Sequence, residues 1–392
     1  MASSTTMKIM TVRGEIDASE VQRGGILLHQ RVLEREGTIP DVDIPIDALM
    51  RLRSHPNERG NLVLSNDDRA YRELQRLATY NVNCVVDIHA RKHQRDVVRL
   101  RRLAEQTNLH ILASTSLEPT SDGGESSSSV DALAHELVLD LHYGMDGTDI
   151  QASIIYHSVN LDQINWTHIQ AVGQAQQATN APIYLSIEPI PDVDQVEPFL
   201  ASLSSSWNMQ RVLLCHCDVW SAHTSKLKRW IDLTHVVVGF DMLGLYAVSN
   251  HLPLQSSTSQ DGHPAALLPP HDYAIASCVA DLAVRHQANV ALSSTVYQTI
   301  QYAQYGGGGM THVLDTFPLA DKKSSMLYDV PLALIQGYKA PEAAPVPKHF
   351  IVCSICAKAF EPIVGEYFTK FDFVYCGTKC LKKHRLRGFE PL

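Results

Sequence analysis

Apolar residues gather in eight short, β-rich runs: Gly25 to His29, Val82 to Ile88, Leu109 to Ser114, Ile150 to Tyr156, Pro182 to Ile187, Arg211 to His216, His235 to Asp241 and Asn289 to Thr295. Runs of this length, bounded by polar or turn-forming residues, predict buried strands. Between most of them the apolar spacing changes to three or four. Val97, Leu100, Leu103 and Ala104 share one helical face, as do Val130, Leu133, Leu137 and Leu141, with Ser129 placed to cap the second helix. Eight strand-helix alternations predict an α/β protein whose residues 1–338 form a parallel (β/α)8 TIM barrel. The polar stretches Ser121–Ser129 and Gln255–His263 read as surface loops.

The periodic pattern stops near residue 339. Lys339–Lys348 holds three prolines and no apolar repeat, which predicts an extended, semi-rigid linker. Residues 349–392 then form a segment too short to bury much of a core. It contains Cys353-x2-Cys356 and Cys376-x3-Cys380. Two thiolates on a tight knuckle and two more at i and i+4 of a helix predict a tetrahedral site for one structural Zn2+, whose binding energy replaces the missing core. His384 continues the spacing of Cys376 and Cys380. It reads either as a further ligand or as a solvated member of the basic run Lys382, Lys383, His384, Arg385, Arg387. Cys84, Cys215, Cys217 and Cys278 are scattered and read as packing residues, in keeping with a reducing compartment.

At 392 residues the chain accommodates one barrel and a small module. Its net charge of −9 argues against bulk attraction to nucleic acid or anionic membrane. From Lys348 onward the balance is eight Lys or Arg against four Asp or Glu, a surplus that reads as a solvated helix face before a nucleic-acid contact. No run reaches the ~18 apolar residues of a spanning helix, and the first residues lack the apolar stretch of a signal peptide. The expected protein is soluble and cytoplasmic.

Candidate chemistry lies near the ends of the runs, where a (β/α)8 barrel gathers its functional residues. His29, Arg31, Tyr156, Ser186, His216 and Thr295 sit there. TVRGEIDASEVQRGGILLHQRVL, GMDGTDIQASIIY (Gly144 to Tyr156), RVLLCHCD (Arg211 to Asp218) and YGGGGMTHVL (Tyr305 to Leu314) occur in order along the chain. Together these segments resemble the phosphotriesterase family of the amidohydrolase superfamily from about Thr11 to Gly337. In the tail, FDFVYCGTKCLKKH (Phe371 to His384) is similar to the ending of TRASH- and MYM-type treble-clef zinc domains, which implies a protein-interaction role or, less often, metal sensing.

The larger resemblance implies two divalent metals held by His-x-His after the first strand, a carboxylated lysine after the fourth, histidines after the fifth and sixth, and an aspartate after the eighth. At those places this chain has His29 and Arg31, Tyr156, Ser186, His216 and Thr295, so two of the six ligands survive. Arg31 would place a permanent cation where a metal should sit, and loss of the bridging anion and the aspartate would leave a hydrolytic water unactivated. The reading that follows is a catalytically inactive pseudoenzyme serving as a structural or adaptor subunit, with protein partners and no binuclear metal centre. One alternative is an atypical metal-dependent hydrolase in which Glu188, His157 or Cys215 replaces lost ligands, although strand alternation turns Cys215 and Cys217 away from the His216 face. Another is a small-anion binder, using Arg31, Tyr156, Ser186, Thr295 and the two histidines as donors. Asp87, His89, Asp218 and Asp241 lie near strand ends and read either as groups lining the cavity or as polar groups at a solvated rim, and Gly306–Gly309 as a loop that lacks the Lys-Ser/Thr of a phosphate site.

Overall fold

The computed structural model describes residues 7–34, 43–56, 58, 60–89, 95–117, 129–250, 268–319, 324–337, 351–355, 359–360, 368–370 and 373–386. The expected loop at Gln255–His263, all but the last residue of the one at Ser121–Ser129, and the linker Lys339–Lys348 lie outside these residues. The chain divides into two compact units, Met1–Ala340 and Pro341–Leu392.

The first unit begins with an antiparallel hairpin, β1 (Lys8–Thr11) and β2 (Gly14–Asp17). Eight parallel strands follow: β3 (Ile26–Gln30), β4 (Cys84–Asp87), β5 (His110–Thr115), β6 (Ile154–Val159), β7 (Ile183–Ile187), β8 (Val212–Leu214), β9 (Val237–Phe240) and β10 (Val290–Leu292). Each is hydrogen-bonded to the next in chain order, as strand-helix alternation requires. Alternate side chains divide the core. Ile26, Leu28, Val86, Leu112, Tyr184, Leu213 and Ala291 fill the barrel interior, while Leu27, Val85, Ile111, Leu185 and Val238 pack outward in the cluster shared with the helices. Ile9, Val21, Tyr328, Leu334 and Ile335 join the inner cluster. They come from the hairpin region and from the consecutive helical segments Ser325–Asp329 and Val330–Ile335.

The first and last strands are joined through side chains. Ser293 Oγ and Thr295 Oγ1 both donate to the His29 carbonyl, at 3.0 and 2.6 Å, and the Gln30 side-chain amide Nε2 donates to the Ser294 carbonyl at 3.0 Å. Thr295, expected as part of a vestigial site, is therefore also a fastener of the barrel.

Helix signals in the sequence map closely onto the structure. Helix Val97–Thr107 buries Val97, Leu100, Leu103 and Ala104, and Ser129 Oγ accepts the Ala132 N–H at the start of helix Val130–His142. Three strand runs shift; the last, expected to reach Thr295, stops at Leu292. The run expected from Ile150 begins at Ile154, because the preceding residues fold back: Met145 N–H reaches Ile150 O and Ala152 N–H reaches Asp140 O. The run ending at His216 stops at Leu214, because His216 turns into the left-handed region, φ 61°, and a 3-10 segment Cys217–His223 follows.

The second unit pairs β11 (Ile351–Val352) with β12 (Ala359–Phe360) and β13 (Phe368–Lys370) with β14 (Phe373–Tyr375), followed by helix Thr378–Arg385. Among the described residues no helix is long and apolar enough to cross a membrane.

The side-chain seam makes a direct prediction. Thr295→Val removes one donor from the His29 carbonyl and the acceptor of the His29 ring, so barrel stability should fall by about 1–3 kcal/mol. All four tryptophans lie before residue 231, so a urea titration followed by tryptophan fluorescence reads the barrel without the tail.

Candidate site at the mouth of the barrel

The six residues singled out in the sequence meet at the C-terminal ends of the strands, but each is engaged by a neighbour. The rings of His29 and His216 stand edge to face with centroids 5.0 Å apart, and Tyr156 and Tyr297 flank His29 at 6.2 and 6.4 Å. The Thr295 hydroxyl gives its proton to the His29 carbonyl, so its lone pair accepts from His29 Nδ1 at 3.0 Å. This network assigns the proton to Nδ1 and leaves a lone pair on Nε2, which is buried without a partner. Burial holds the ring neutral and lowers its pKa to about 4, with Asp241 opposing and His216 and Arg31 assisting.

His216 is organised by Asp241. The carboxylate accepts the His216 backbone N–H at 2.9 Å and pairs with ring Nδ1 at 2.7 Å, while Tyr297 OH donates to the same oxygen as the ring at 3.2 Å. Burial pulls the imidazole pKa down, but Asp241, Glu188 and Asp218 together hold it above the ordinary value. His216 Nε2 has no hydrogen-bond partner among the described residues and stands 4.0 Å from Glu188 Oε1. Asp218 accepts the Asp241 N–H at 2.9 Å. Burial and the ionised Asp241 beside it push the Asp218 carboxyl well above the usual carboxylate range; burial also penalises Asp241, but the two histidines outweigh it and keep that group low.

Glu188 is the second organiser. Ser186 Oγ donates to Glu188 Oε1, and Tyr156 OH donates to the same oxygen at 3.4 Å. Burial raises the Tyr156 phenol far above its ordinary pKa, so it remains a donor. Arg31 forms an ion pair with Glu34. Burial works against the guanidinium charge, and Glu34 more than restores it.

Several expectations are corrected. Cys215 does not face away from the site: its Sγ, a ring nitrogen of His29 and a carboxylate oxygen of Asp241 all lie within 4.8 Å of one another. The alternation argument fails because the strand has ended and His216 has a left-handed backbone, which lets consecutive residues share the interior. Cys217 does pack outward, in the cluster with the helices. His157 also lies outside the site, near His168, with its pKa lowered by burial to about 3. Asp241 and Asp218 are buried site components and not rim groups. Asp87 and His89 pair with each other at 2.9 Å, and Asp87 also accepts the Val32 N–H. The Gly306–Gly309 loop wraps a carboxylate: Glu73 accepts the N–H groups of Ala303 and Met310 on either side of it. Tyr297 and Glu34 gave no signal in the sequence, since neither belongs to a spaced motif.

The well does not fit a pair of divalent cations. The positions that would supply the bridging anion and the carboxylate ligand hold a phenol and a hydroxyl, both spent on internal acceptors, and an arginine lies beside them. Two imidazole nitrogens cannot replace that set.

The tail fits its metal. Sγ atoms of Cys353, Cys376 and Cys380 lie within 4.8 Å of one another, and Cys376 and Cys380 are 3.7 Å apart. A tetrahedron with Zn–S bonds of about 2.3 Å has edges of about 3.8 Å. Cys356, the fourth expected ligand, lies outside the described residues. His384 is not a solvated member of the basic run: it is fully buried, with Nδ1 3.0 Å from Tyr375 OH and its ring edge-on to Phe373 at 4.6 Å, while Lys382, Lys383 and Arg385 are exposed.

Comparison with known proteins agrees with this architecture. The family model of the phosphotriesterase family matches residues 7–325, and that of the Vms1-associating treble clef domain matches residues 348–392. The treble-clef class is the one expected; the matching type is the Vms1-associating one. Among curated relatives, N-acetyltaurine hydrolase of Xenopus tropicalis is 22% identical over 332 residues, covering 80% of this chain and 91% of that protein. The phosphotriesterase-related protein of Nematostella vectensis is 23% identical over 281 residues, covering 69% and 77%. Of the solved structures, a resiniferatoxin-binding protein from Rhodobacter sphaeroides superposes with a TM-score of 0.70 at 21% identity, covering 84% of this chain and 94% of that one.

Two predictions follow from these environments. A histidine whose folded pKa lies below its unfolded value of about 6.5 binds its proton first in the unfolded chain, so stability is present above that pH and lost as pH falls. For His29 the loss should run from about pH 6.5 to about pH 4, with His157 extending it to about pH 3. Urea midpoints measured across this range should therefore drop less steeply in His29→Gln than in the parent. In the tail, Cys376→Ser should abolish its zinc and unfold that unit alone: tail amides should lose hydrogen-exchange protection while barrel amides keep theirs.

Proposed function

We propose, from the premise that the chain belongs to the phosphotriesterase family, that its barrel has left metal-dependent hydrolysis and serves as a structural or adaptor subunit, with the zinc-stabilised tail as an interaction module. The observation that carries this reading is the Glu188 carboxylate. It accepts from Tyr156 and Ser186, the residues standing where the bridging lysine and fifth-strand histidine would be expected. An anion fixed in the wall thus uses the donors that replaced the metal ligands. Thr295 and Arg31 are likewise committed, to the barrel seam and to Glu34. These substitutions hold the mouth of the barrel together and provide no activated water.

The matching treble-clef family is named for association with Vms1, which agrees with a partner-binding role for the tail. The small-anion reading gains no support, because Tyr156, Ser186 and Thr295 already donate to Glu188 or to the His29 carbonyl, and the Arg31 charge is paired with Glu34. Some curated relatives are named for hydrolysis of N-acetyltaurine, which supplies the discriminating substrate.

Purified full-length protein, supplied with Zn2+ or Mn2+, should show no turnover of N-acetyltaurine, a phosphotriester or a lactone above the buffer rate. Quantitative affinity purification from native cells should recover a partner in about one-to-one ratio, and Cys376→Ser should lose it. Chelator-sensitive turnover by a chain that purifies without partners would overturn the proposal.

A further inference from the structure

Among the described residues no hydrogen-bond donor meets the buried Nε2 lone pair of His29. A buried imidazole nitrogen without a donor costs about 1–3 kcal/mol, which a native structure normally avoids. Cys215 Sγ and an Asp241 carboxylate oxygen lie with a His29 ring nitrogen inside a common 4.8 Å limit, and all three residues are almost fully buried. We propose that this trio binds one Zn2+ in the barrel, in addition to the zinc of the tail.

The donor set favours zinc. Imidazole, thiolate and carboxylate together suit a borderline-soft cation and not Mg2+ or Ca2+, which take oxygen ligands. Tetrahedral ligands on zinc stand about 3.3–3.8 Å apart, so the observed limit closes with side-chain movements of about 1 Å. Asp241 retains capacity for this. A carboxylate offers about four lone-pair positions, and the His216 ring, Tyr297 OH and the His216 backbone N–H use three of them. Those bonds orient the ligand in the way outer-shell partners orient metal-binding carboxylates. Binding exchanges the Cys215 thiol proton for the metal ion. Only His29 stands at a position where the family resemblance places a ligand. Cys215 and Asp241 follow β8 and β9, so this is a single-ion site assembled from different residues. It goes beyond the adaptor role and stands or falls apart from it.

Zinc is counted by inductively coupled plasma mass spectrometry on full-length protein purified under reducing conditions with added zinc and then desalted. The parent should hold two ions per chain. Cys215→Ala and His29→Gln should each hold one, and Cys217→Ala, whose thiol packs outward, should keep two. A variant with all four tail cysteines changed to serine should hold one, and its cobalt form should show a thiolate-to-cobalt charge-transfer band that Cys215→Ala removes. This band decides the question even if a barrel variant fails to fold. One zinc in the parent, with neither zinc nor the cobalt band in the tail variant, overturns the inference and leaves the adaptor reading intact. Three zinc ions in the parent would restore a metal pair in the barrel and overturn both.

Discussion

A single buried carboxylate, that of Asp241, takes three donors at the mouth of the barrel: the ring and backbone N–H of His216 and the hydroxyl of Tyr297. His216 has a left-handed backbone, which disfavours any residue with a Cβ by about 1–2 kcal/mol. The two-point grip of Asp241 on that one residue offsets the cost. It fixes the end of β8, sets the direction of the imidazole and allows Cys215 and His216 to face the same interior. Asp218 buttresses the arrangement by accepting the Asp241 N–H, and its own charge is suppressed by burial beside that carboxylate. The remaining contacts of the mouth are arranged around this point.

Most of the barrel's stability lies below its mouth. The apolar layers inside the barrel and the outward cluster beneath the helices run through all eight strands, and of the mouth residues Tyr156 and Cys215 belong to the inner one. Polar residues at the strand ends add structural ties to this core. Thr295 shows this most clearly, since its hydroxyl ties the first strand to the last. Ser186, Tyr156 and Glu188 do the same between β6 and β7.

Much of this was legible in the sequence, and the failures have physical causes. Strand and helix periodicities appeared because each element buries one face or is buried on both, and Ser129 was recognisable as a cap from its position alone. The β6 register was misplaced because Ile150 and Ala152 are apolar and buried yet belong to a loop. Period-two reasoning failed at Cys215 because it assumes an extended backbone, and nothing in CHCD announces a left-handed histidine. The loss of metal ligands was visible residue by residue. Their replacement by an internal network was not, because Glu34, Glu188, Asp241 and Tyr297 converge only through the fold. His384 was misjudged because charge runs imply solvation, whereas helix geometry turns one member of the run inward.

The central claim is the proposal that the barrel mouth does not hold a pair of divalent cations. Anomalous diffraction at the zinc absorption edge, from crystals of the full-length protein grown with excess zinc, tests it most directly. The account predicts a peak in the tail beside Cys376 and Cys380, and in the barrel no more than a single peak, lying between His29, Cys215 and Asp241. Two peaks in the well, bridged and ligated by His29 on one side and His216 on the other, would contradict it.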